Sequence, residues 1–515
     1  MAESFPPARV DPHAQRRVRY TERMDFANVL RLIAFDWPLF MVVLALAVFY
    51  TVVTKGIQFA RASLIARETL GAIRERNLSS SGQITPFQAT MIALCGTVGT
   101  GSIVGVTAGI LLGGPGAVLW LLLFGLLGMA LKFAEATLAV HYRRIYTDGS
   151  TFGGPFLYLT RGLGKGVGLV LGGIFAALTV LAAFAVGNLA QVSGATTTLD
   201  ASFSIPSVAW SLLLALIVLL IIGGGPVRIA RAAQVLFPLM VTVYGVLALA
   251  VVFKNIGGLG GAIFSIFSHA FSFQAAGAGV VAYSLQTILS QGLGRGLFTT
   301  SAGLGVSSIA HAQAQVDDPV RQGFWGVVEV FGALVVSLLT ALAMLSVPSL
   351  WQNNLSGAPA EVIRTVFSGL GANFGSNGMM TGSNDFLVTV GSSGLAVATA
   401  LFALGTMIAW AFYAEEAASY LLGDIVRWPL RLLWVAVAFL APVVIADYGG
   451  FLSGAEVLVG LLALPNLVAL IVLYPVVTGL TQRFFAGEPY VPLPDNDSST
   501  GTSDAFGDAF EFGEN

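Results

Sequence analysis

Long runs of apolar residues alternate along the chain with short connections that carry most of its charged residues. Runs of about 20 apolar residues are long enough to cross the roughly 30 Å hydrocarbon core of a bilayer as α-helices. Windows of this length predict eleven spans, near residues 32–53, 88–112, 115–140, 168–192, 207–223, 232–253, 276–293, 323–347, 386–412, 432–447 and 454–480. The pattern therefore indicates an all-α polytopic membrane protein.

The composition agrees with lipid as the solvent for most of the chain. Of the 515 residues, 56% are apolar and only 10% are charged, whereas soluble domains carry about a quarter of charged residues. The mean hydropathy is +0.82. A net charge of −2 gives no support for bulk attraction to nucleic acid. The single Cys95 excludes an internal disulfide framework.

Lysine and arginine are distributed unevenly between the two sides that eleven spans would create. Sixteen of them lie in the connections at 54–87, 141–167, 223–232, 294–322, 413–431 and after 480. The opposite connections after the first span hold only Lys254 and Arg364. Because positive residues are retained on the cytoplasmic side, we expect a protein of the plasma (cytoplasmic) membrane with a cytoplasmic C-terminus. The arginine-rich tail before the first span conflicts with this count, so either the first apolar run does not cross or the tail is an exception.

Two of the predicted spans are interrupted by glycines. The second span contains Gly96, Gly99 and Gly101, and the seventh contains glycines at 277 and 279 and again at 292, 294 and 296. Each glycine costs about 1 kcal/mol relative to alanine inside a helix, so both segments are predicted to be weak or unwound. Glycine-interrupted helices at corresponding places in two five-span halves are typical of inverted-repeat transporters.

An unwound helix offers binding groups to a ligand. Its freed N–H groups can bind a carboxylate, and the carbonyls released on the other side can coordinate a cation. The alternative is that the small residues only allow close helix packing. The hydroxyls of Thr97, Thr100 and Ser102 beside the first glycines favour a substrate site.

Short motifs rich in glycine, alanine and polar residues occur in order along nearly the whole chain. They are Phe87-Gln88-Ala89, Thr97 to Val106, Gly113 to Ala117, Gly128 to Glu135, Gly153 to Pro155, Gly187 to Gln191, Arg295 to Phe298, Ala302 to Gly305, Ala310-His311-Ala312 and Thr406 to Trp410. With these motifs the chain resembles the alanine or glycine:cation symporter family.

The resemblance implies a leucine-transporter-like 5+5 inverted repeat with one extra N-terminal span and about 11 transmembrane helices. The division expected is a polar tail (1–24), a peripheral first span (25–53), a cytoplasmic connection (54–87), a first inverted repeat (88–253), an external loop (254–275), a second inverted repeat (276–480) and a flexible acidic tail (481–515).

The same resemblance implies a secondary active transporter that imports alanine or glycine by alternating access. Sodium, or in some members protons, is the coupling ion, and no other cofactor is expected. The substrate-binding residues implied by the motifs and by the hydroxyls beside the first glycines are Thr97, Thr100, Gly101, Ser102, Asn188, Gln191 and Trp410. The cation ligands implied are the carbonyls of Cys95 and Val98 and the hydroxyl of Thr406.

In this scheme the N–H groups of Thr100 and Gly101 bind the substrate carboxylate. Gln191 and Asn188 face the substrate from the fourth span, and Trp410 closes over its small side chain. An interhelical hydrogen bond is the alternative for Gln191, and an interfacial aromatic is the alternative for Trp410.

The same pattern also leaves alternative functions open and predicts the roles of three polar residues. An uncoupled amino-acid exchanger or a channel-like permease remains an alternative, whereas a membrane-embedded enzyme lacks support because no His-Glu-x-x-His, Gly-x-Ser-x-Gly or phosphate-loop motif is present. Lys132 and Glu135 are expected to form an i,i+3 pair at the membrane interface. His311 is expected to serve packing rather than proton transfer.

Overall fold

The apolar runs fold into helices because a helix satisfies its own backbone hydrogen bonds, which lipid cannot do. The computed structural model describes residues 37–71, 73, 82–271, 285–353, 358–374, 380–445 and 448–493. The helices of the first half are α1 (Trp37–Val53), α2 (Ile57–Ala60), α3 (Ala62–Glu68), α4 (Pro86–Thr97), α5 (Val104–Gly113), α6 (Ala117–His141), α7 (Pro155–Leu163), α8 (Val167–Ala182), α9 (Ala190–Phe203), α10 (Ser207–Ile222) and α11 (Gly225–Lys254).

The second half is built in the same way. Its helices are α12 (Ile256–His269), α13 (Leu285–Thr300), α14 (Ser308–His311), α15 (Pro319–Leu345), α16 (Pro348–Asn353), α17 (Pro359–Ser368), α18 (Asp385–Leu422), α19 (Arg427–Val444), α20 (Tyr448–Val472) and α21 (Tyr474–Ala486). Two antiparallel hairpins join helices, one of β1 (Arg144–Ile145) with β2 (Thr151–Phe152) and one of β3 (Ala372–Phe374) with β4 (Met380–Ser383).

Ten of the predicted spans coincide with described helices or with the bent pair of α4 and α5. The remaining span, the seventh, at 276–293, falls partly outside the described residues, and its described part belongs to α13. Seven helical segments in the described ranges are long and apolar enough to cross a membrane, and the pair α4 and α5 makes an eighth. The segment 254–275, expected to be an external loop, contains the apolar helix α12.

The first break lies where the sequence predicts it. A capping box between Thr85 and Gln88 starts α4, which ends at Thr97. A short 3₁₀ turn, Thr100–Ser102, follows before α5 begins, and the two helices meet at an angle of 65°. The bend leaves N–H and carbonyl groups around residues 96–102 outside a continuous helical ladder.

The second break that the structure describes lies beyond the predicted glycines at 292, 294 and 296. The helix α13 runs without interruption through the glycines at 292, 294 and 296, so the predicted weakness there is wrong. A Cβ on Gly292 would lie 2.5 Å from Cβ of Trp120, which shows that this glycine allows close helix packing instead. The chain breaks after Thr300, where Ser301, Gly303 and Gly305 have φ values of +50°, +91° and +78°. The other predicted glycines, at 277 and 279, lie outside the described residues.

The fourth predicted span contains a third irregularity. Seven residues, Ala183–Leu189, form a π-helical turn between α8 and α9. Such turns widen the helix locally and occur frequently at functional sites. A Cβ on Gly187 in this turn would lie 2.3 Å from Cβ of Trp410, so α18 approaches the turn closely at this glycine.

Candidate functional site

The two breaks and the π-helical turn meet at one small cavity. The first break contributes Gly96, Thr97, Gly99, Gly101 and Ser102, and the second contributes Phe298, Ser301 and Leu304. The remaining lining residues are Val186, Gln191, Thr406, Trp410 and Val459. Irregular backbone from both halves of the chain therefore surrounds the same space.

Thr100 and Gln191 form the main polar contact at this cavity. The Thr100 backbone N–H donates to Oε1 of Gln191 at 3.2 Å, and the Thr100 hydroxyl donates to the same oxygen at 3.0 Å. The Gln191 amide nitrogen donates in turn to the carbonyl of Val186 at 3.1 Å. Gln191 thus makes the interhelical hydrogen bond and also lines the cavity. Its oxygen marks a position where two donors converge on an acceptor.

Gly99 sits between the residues predicted for the substrate and those predicted for the cation. A Cβ at this position would lie 2.7 Å from Oγ1 of Thr406 and 3.1 Å from Oε1 of Gln191. Contacts this short require the neighbours to move. A side chain at residue 99 would therefore disturb Thr406 and Gln191 together.

Two of the three predicted cation ligands, Thr406 and the carbonyl of Cys95, are in direct contact. The Thr406 hydroxyl lies 3.0 Å from the carbonyl oxygen of Cys95. Val98 ends α4 with non-helical dihedrals of −96° and 81°. Among the residues that the structure describes, no group of three or more His, Cys, Asp or Glu side chains could hold a metal. Carbonyl and hydroxyl oxygens, which suit a hard cation such as sodium, are the donors available here.

Trp410 is part of the cavity wall and is only 4% exposed. Its indole Nε1–H donates to the carbonyl of Gly96 at 2.9 Å, so the ring caps a carbonyl in the last turn of α4. This position inside the bundle differs from that of an interfacial aromatic. Trp410 stands where it can restrict the size of a ligand.

Two predicted substrate residues are absent from the cavity lining: Thr100, which contacts the lining residue Gln191, and Asn188. The Asn188 side chain is fully buried, and its amide donates to the carbonyl of Trp434 at 2.8 Å. The Cys95 side chain packs against α18, where a Cβ on Gly405 would lie 3.3 Å from Cys95 Sγ.

Ser102 has the side chain that is most available to a ligand. It lines the cavity, and its buried hydroxyl has no hydrogen-bond partner among the described residues. The sequence analysis missed the lining residues Val186, Phe298, Ser301, Leu304 and Val459. Of these, Ser301 could have been identified from the sequence, because it precedes the closely spaced Gly303 and Gly305.

The second break is held by an ion pair from α6. Lys132 Nζ lies 3.0 Å from Oε2 of Glu135, which confirms the predicted i,i+3 pair. Both side chains are 0% exposed, so the pair lies inside the protein and not on its surface. The ammonium also donates to the carbonyl of Ser301 at 2.8 Å. Oε1 of Glu135 accepts from the N–H groups of Gly303 and Gly305 at 2.9 and 3.1 Å, so the pair fixes the left-handed turn.

The thiol of Cys95 should react slowly with a small membrane-permeant thiol reagent, because its side chain is fully buried between α4 and α18. We expect labelling only when these helices separate. Mass spectrometry of the intact protein over time measures the rate, and Cys95→Ser controls for modification elsewhere. Labelling at the rate of free cysteine would contradict this packing.

Comparisons with known proteins agree with this architecture. A model of the sodium:alanine symporter family matches residues 21–489. The sodium/alanine symporter AgcS of Methanococcus maripaludis is 32% identical over 466 residues, which cover 90% of this chain and 98% of that protein. The uncharacterised transporter YflA of Bacillus subtilis is 31% identical over 467 residues, covering 88% and 93%.

A solved structure shares the fold. A manganese transporter of Eremococcus coleocola superimposes with a TM-score of 0.50 over 79% of this chain and 82% of that chain, at 18% identity. The family match spans nearly the whole sequence, and it confirms the resemblance that the motifs indicated. The chain belongs to the sodium:alanine symporter family, which consists of membrane transporters and not of enzymes.

Proposed function

We propose that this protein imports small neutral amino acids, alanine or glycine, together with sodium by alternating access. The observation that carries the proposal is the convergence of two Thr100 donors on the Gln191 oxygen at the cavity. A carboxylate is a stronger acceptor than an amide oxygen. The substrate carboxylate would therefore replace Gln191 at Thr100 and the neighbouring N–H of Gly101, and Gln191 would turn towards the substrate.

The walls of the cavity favour a small substrate side chain. Trp410, Phe298 and Val459 supply apolar surface opposite the polar break. An extra methylene in such a pocket changes affinity by about 1–3 kcal/mol, and the sign depends on whether the pocket has room for it. This arrangement suits alanine or glycine better than branched or aromatic amino acids.

Replacing Trp410 by alanine should weaken alanine binding by at least about tenfold and admit larger substrates, because the indole both fills the cavity and caps the Gly96 carbonyl. Competition of valine and leucine against labelled alanine measures the change. Trp410→Phe is the matched variant, since it keeps a ring but removes the N–H donor. An unchanged competition profile in Trp410→Ala would rule out this residue as a determinant of size.

The coupling ion would bind beside the substrate. Carbonyls of Cys95 and Val98 with the Thr406 hydroxyl form the proposed sodium site, and the Thr406–Cys95 distance of 3.0 Å supports it. A sodium ion there would lie near the substrate carboxylate and attract it. The name of AgcS, a sodium/alanine symporter at 32% identity, supports sodium and alanine for this chain. Protons are the alternative coupling ion.

The proposed architecture is a 5+5 inverted repeat of residues 88–253 and 276–480 with one extra N-terminal span, about eleven spans in total. The C-terminus would lie in the cytoplasm. The meeting of the two chain breaks at one cavity supports this arrangement. Half-helices that end at a shared site can tilt separately and open it to one side at a time.

Calorimetric binding to the purified protein tests the proposal. L-alanine and glycine should bind, leucine should not, and saturating sodium should tighten alanine binding. By thermodynamic reciprocity, alanine must then tighten sodium binding by the same factor. An uncoupled exchanger or permease would bind alanine equally with and without sodium. Failure of both alanine and glycine to bind would contradict the proposed substrate class.

A further inference from the structure

A fully buried cluster of charged and polar side chains lies next to the cavity, outside the proposed substrate and cation sites. Its members are Lys132, Glu135, His311, Gln322 and Glu329. The cluster reaches the cavity at Thr97, whose hydroxyl donates to Oε1 of Glu329 at 2.7 Å. A change in the charge of Glu329 or its partners therefore changes the electrostatic potential at the first break.

Lys132 and Glu135 form an ion pair within this cluster, and Glu135 Oε2 accepts no hydrogen bond from the described residues. Besides Glu135 at 3.0 Å, the ammonium has Ser301 O and Ser307 Oγ as acceptors, each at 2.8 Å. Glu135 accepts from two backbone N–H groups and from the Asn466 amide at 2.8 Å. Glu329 lies farther from the lysine, with Oε1 at 3.8 Å from Nζ. Of the two carboxylates, Glu329 therefore has the more distant contact with the ammonium.

His311 is placed to balance that charge. Its Nε2 lies 2.9 Å from Oε2 of Glu329, and both side chains are 0% exposed. With a neutral imidazole, one lysine and two glutamates leave the cluster with a net charge of −1. An imidazolium makes the cluster neutral. Because an uncompensated buried charge costs several kcal/mol, the arrangement favours uptake of one proton.

Gln322 can serve either protonation state of this histidine. Its Nε2 lies 2.6 Å from Nδ1 of His311, so the amide donates to an unprotonated nitrogen. Its Oε1 is buried and has no hydrogen-bond partner in the described part of the chain. Rotating the amide by 180° would bring this free oxygen to Nδ1, where it accepts from a protonated ring. The Gln322 amide can thus donate to a neutral ring or, after this rotation, accept from a protonated one.

We propose that the His311–Glu329 pair is a proton-binding site that sets the charge beside the substrate cavity through Thr97. The other titratable groups facing it are Lys132 and Glu135 from α6 and Tyr413 from α18. The inference rests on the proposed function, because it requires a substrate carboxylate at the first break. With His311 neutral, the net negative charge repels that carboxylate, and protonation of Nδ1 removes the repulsion. Alanine therefore binds more tightly as pH falls.

Calorimetry with L-alanine as the probe, from pH 5.5 to 8.5 at fixed low sodium, tests this site. The affinity of the parent should change with pH by up to tenfold per unit. Titrations in buffers of different ionisation enthalpy should show proton uptake on binding. His311→Gln and Glu329→Gln should each flatten the pH dependence while alanine still binds. His269→Gln, a histidine on α12 outside the cluster, should retain the parent's slope.

The outcomes separate this site from the proposed function. A parent that binds alanine with a constant affinity and no proton uptake overturns the inference but leaves the amino-acid site standing, and this needs no variant to fold. An unchanged slope in a folded His311→Gln protein also overturns it. If alanine binds at no pH, the proposed function fails and the inference falls with it.

Discussion

Alanine binding should be lost, or weakened by roughly 5- to 150-fold, in Gly99→Ala. The added Cβ would lie 2.7 Å from Oγ1 of Thr406 and 3.1 Å from Oε1 of Gln191, so both proposed sites must shift. Overpacking of this kind costs about 1–3 kcal/mol, which corresponds to that loss of affinity. Calorimetric titration of the purified variant with L-alanine measures the effect.

Two further glycine variants serve as a control and as an independent test of the same cavity. Gly245→Ala is the matched control, because a Cβ there meets only Leu339 Cδ1, at 4.0 Å, and it should bind alanine as the parent does. Gly101→Val should also abolish binding, since its Cβ would lie 3.1 Å from the ring of Phe298. Parental alanine affinity in a folded Gly99→Ala protein would remove this cavity as the substrate site.

Lys132→Met should lower the free energy of unfolding by about 3–5 kcal/mol. The ammonium lies between Glu135 and Glu329 in a fully buried environment, and removing it leaves two carboxylates without their cation. The Ser301 carbonyl also loses its donor, so the second break should loosen. Denaturant titration in mixed micelles measures the loss.

Two variants show whether charge is the cause. Lys132→Met with Glu135→Gln removes one charge of each sign and should recover part of the stability. Lys165→Met, at an exposed lysine, should leave stability within about 0.5 kcal/mol of the parent. If Lys132→Met is as stable as Lys165→Met, the buried ion pair does not stabilise the fold.

Helices were predictable wherever hydropathy and burial coincide. The predicted span 115–140 corresponds to α6, Ala117–His141. The span predicted at 386–412 instead continues to Leu422, because Glu415 and Glu416 are neutralised inside the bundle by Arg431 and Arg427. A hydropathy window treats such paired charges as a polar connection, since their partners lie on another helix.

The two chain breaks show what local sequence can and cannot specify. The first was predictable because Gly96, Gly99 and Gly101 weaken the helix within six residues. The glycines at 292, 294 and 296 do not mark a break, because a glycine inside a helix can equally allow close packing, as Gly292 does against Trp120. The break after Thr300 depends on Lys132 and Glu135, which lie far away in sequence and bind its backbone.

The predicted site residues are brought together only in part. Gln191, Thr406 and Trp410 meet at the cavity, as the family motifs implied. Asn188, three residues before Gln191, would share its face in a regular α-helix, but the π-helical turn changes the register and directs Asn188 to Trp434. Such a turn has no signature that hydropathy detects.

Uptake of labelled alanine into proteoliposomes tests the central claim, cation-coupled transport, most directly. With an inward sodium gradient, and in parallel with an inward proton gradient, internal alanine should rise above its external concentration and fall back when an ionophore dissipates the gradient. Liposomes containing Gly99→Ala should show only background uptake. If internal alanine instead approaches the external concentration and stops there, at the same rate with either gradient or none, the protein is an uncoupled permease and the account of a symporter is wrong.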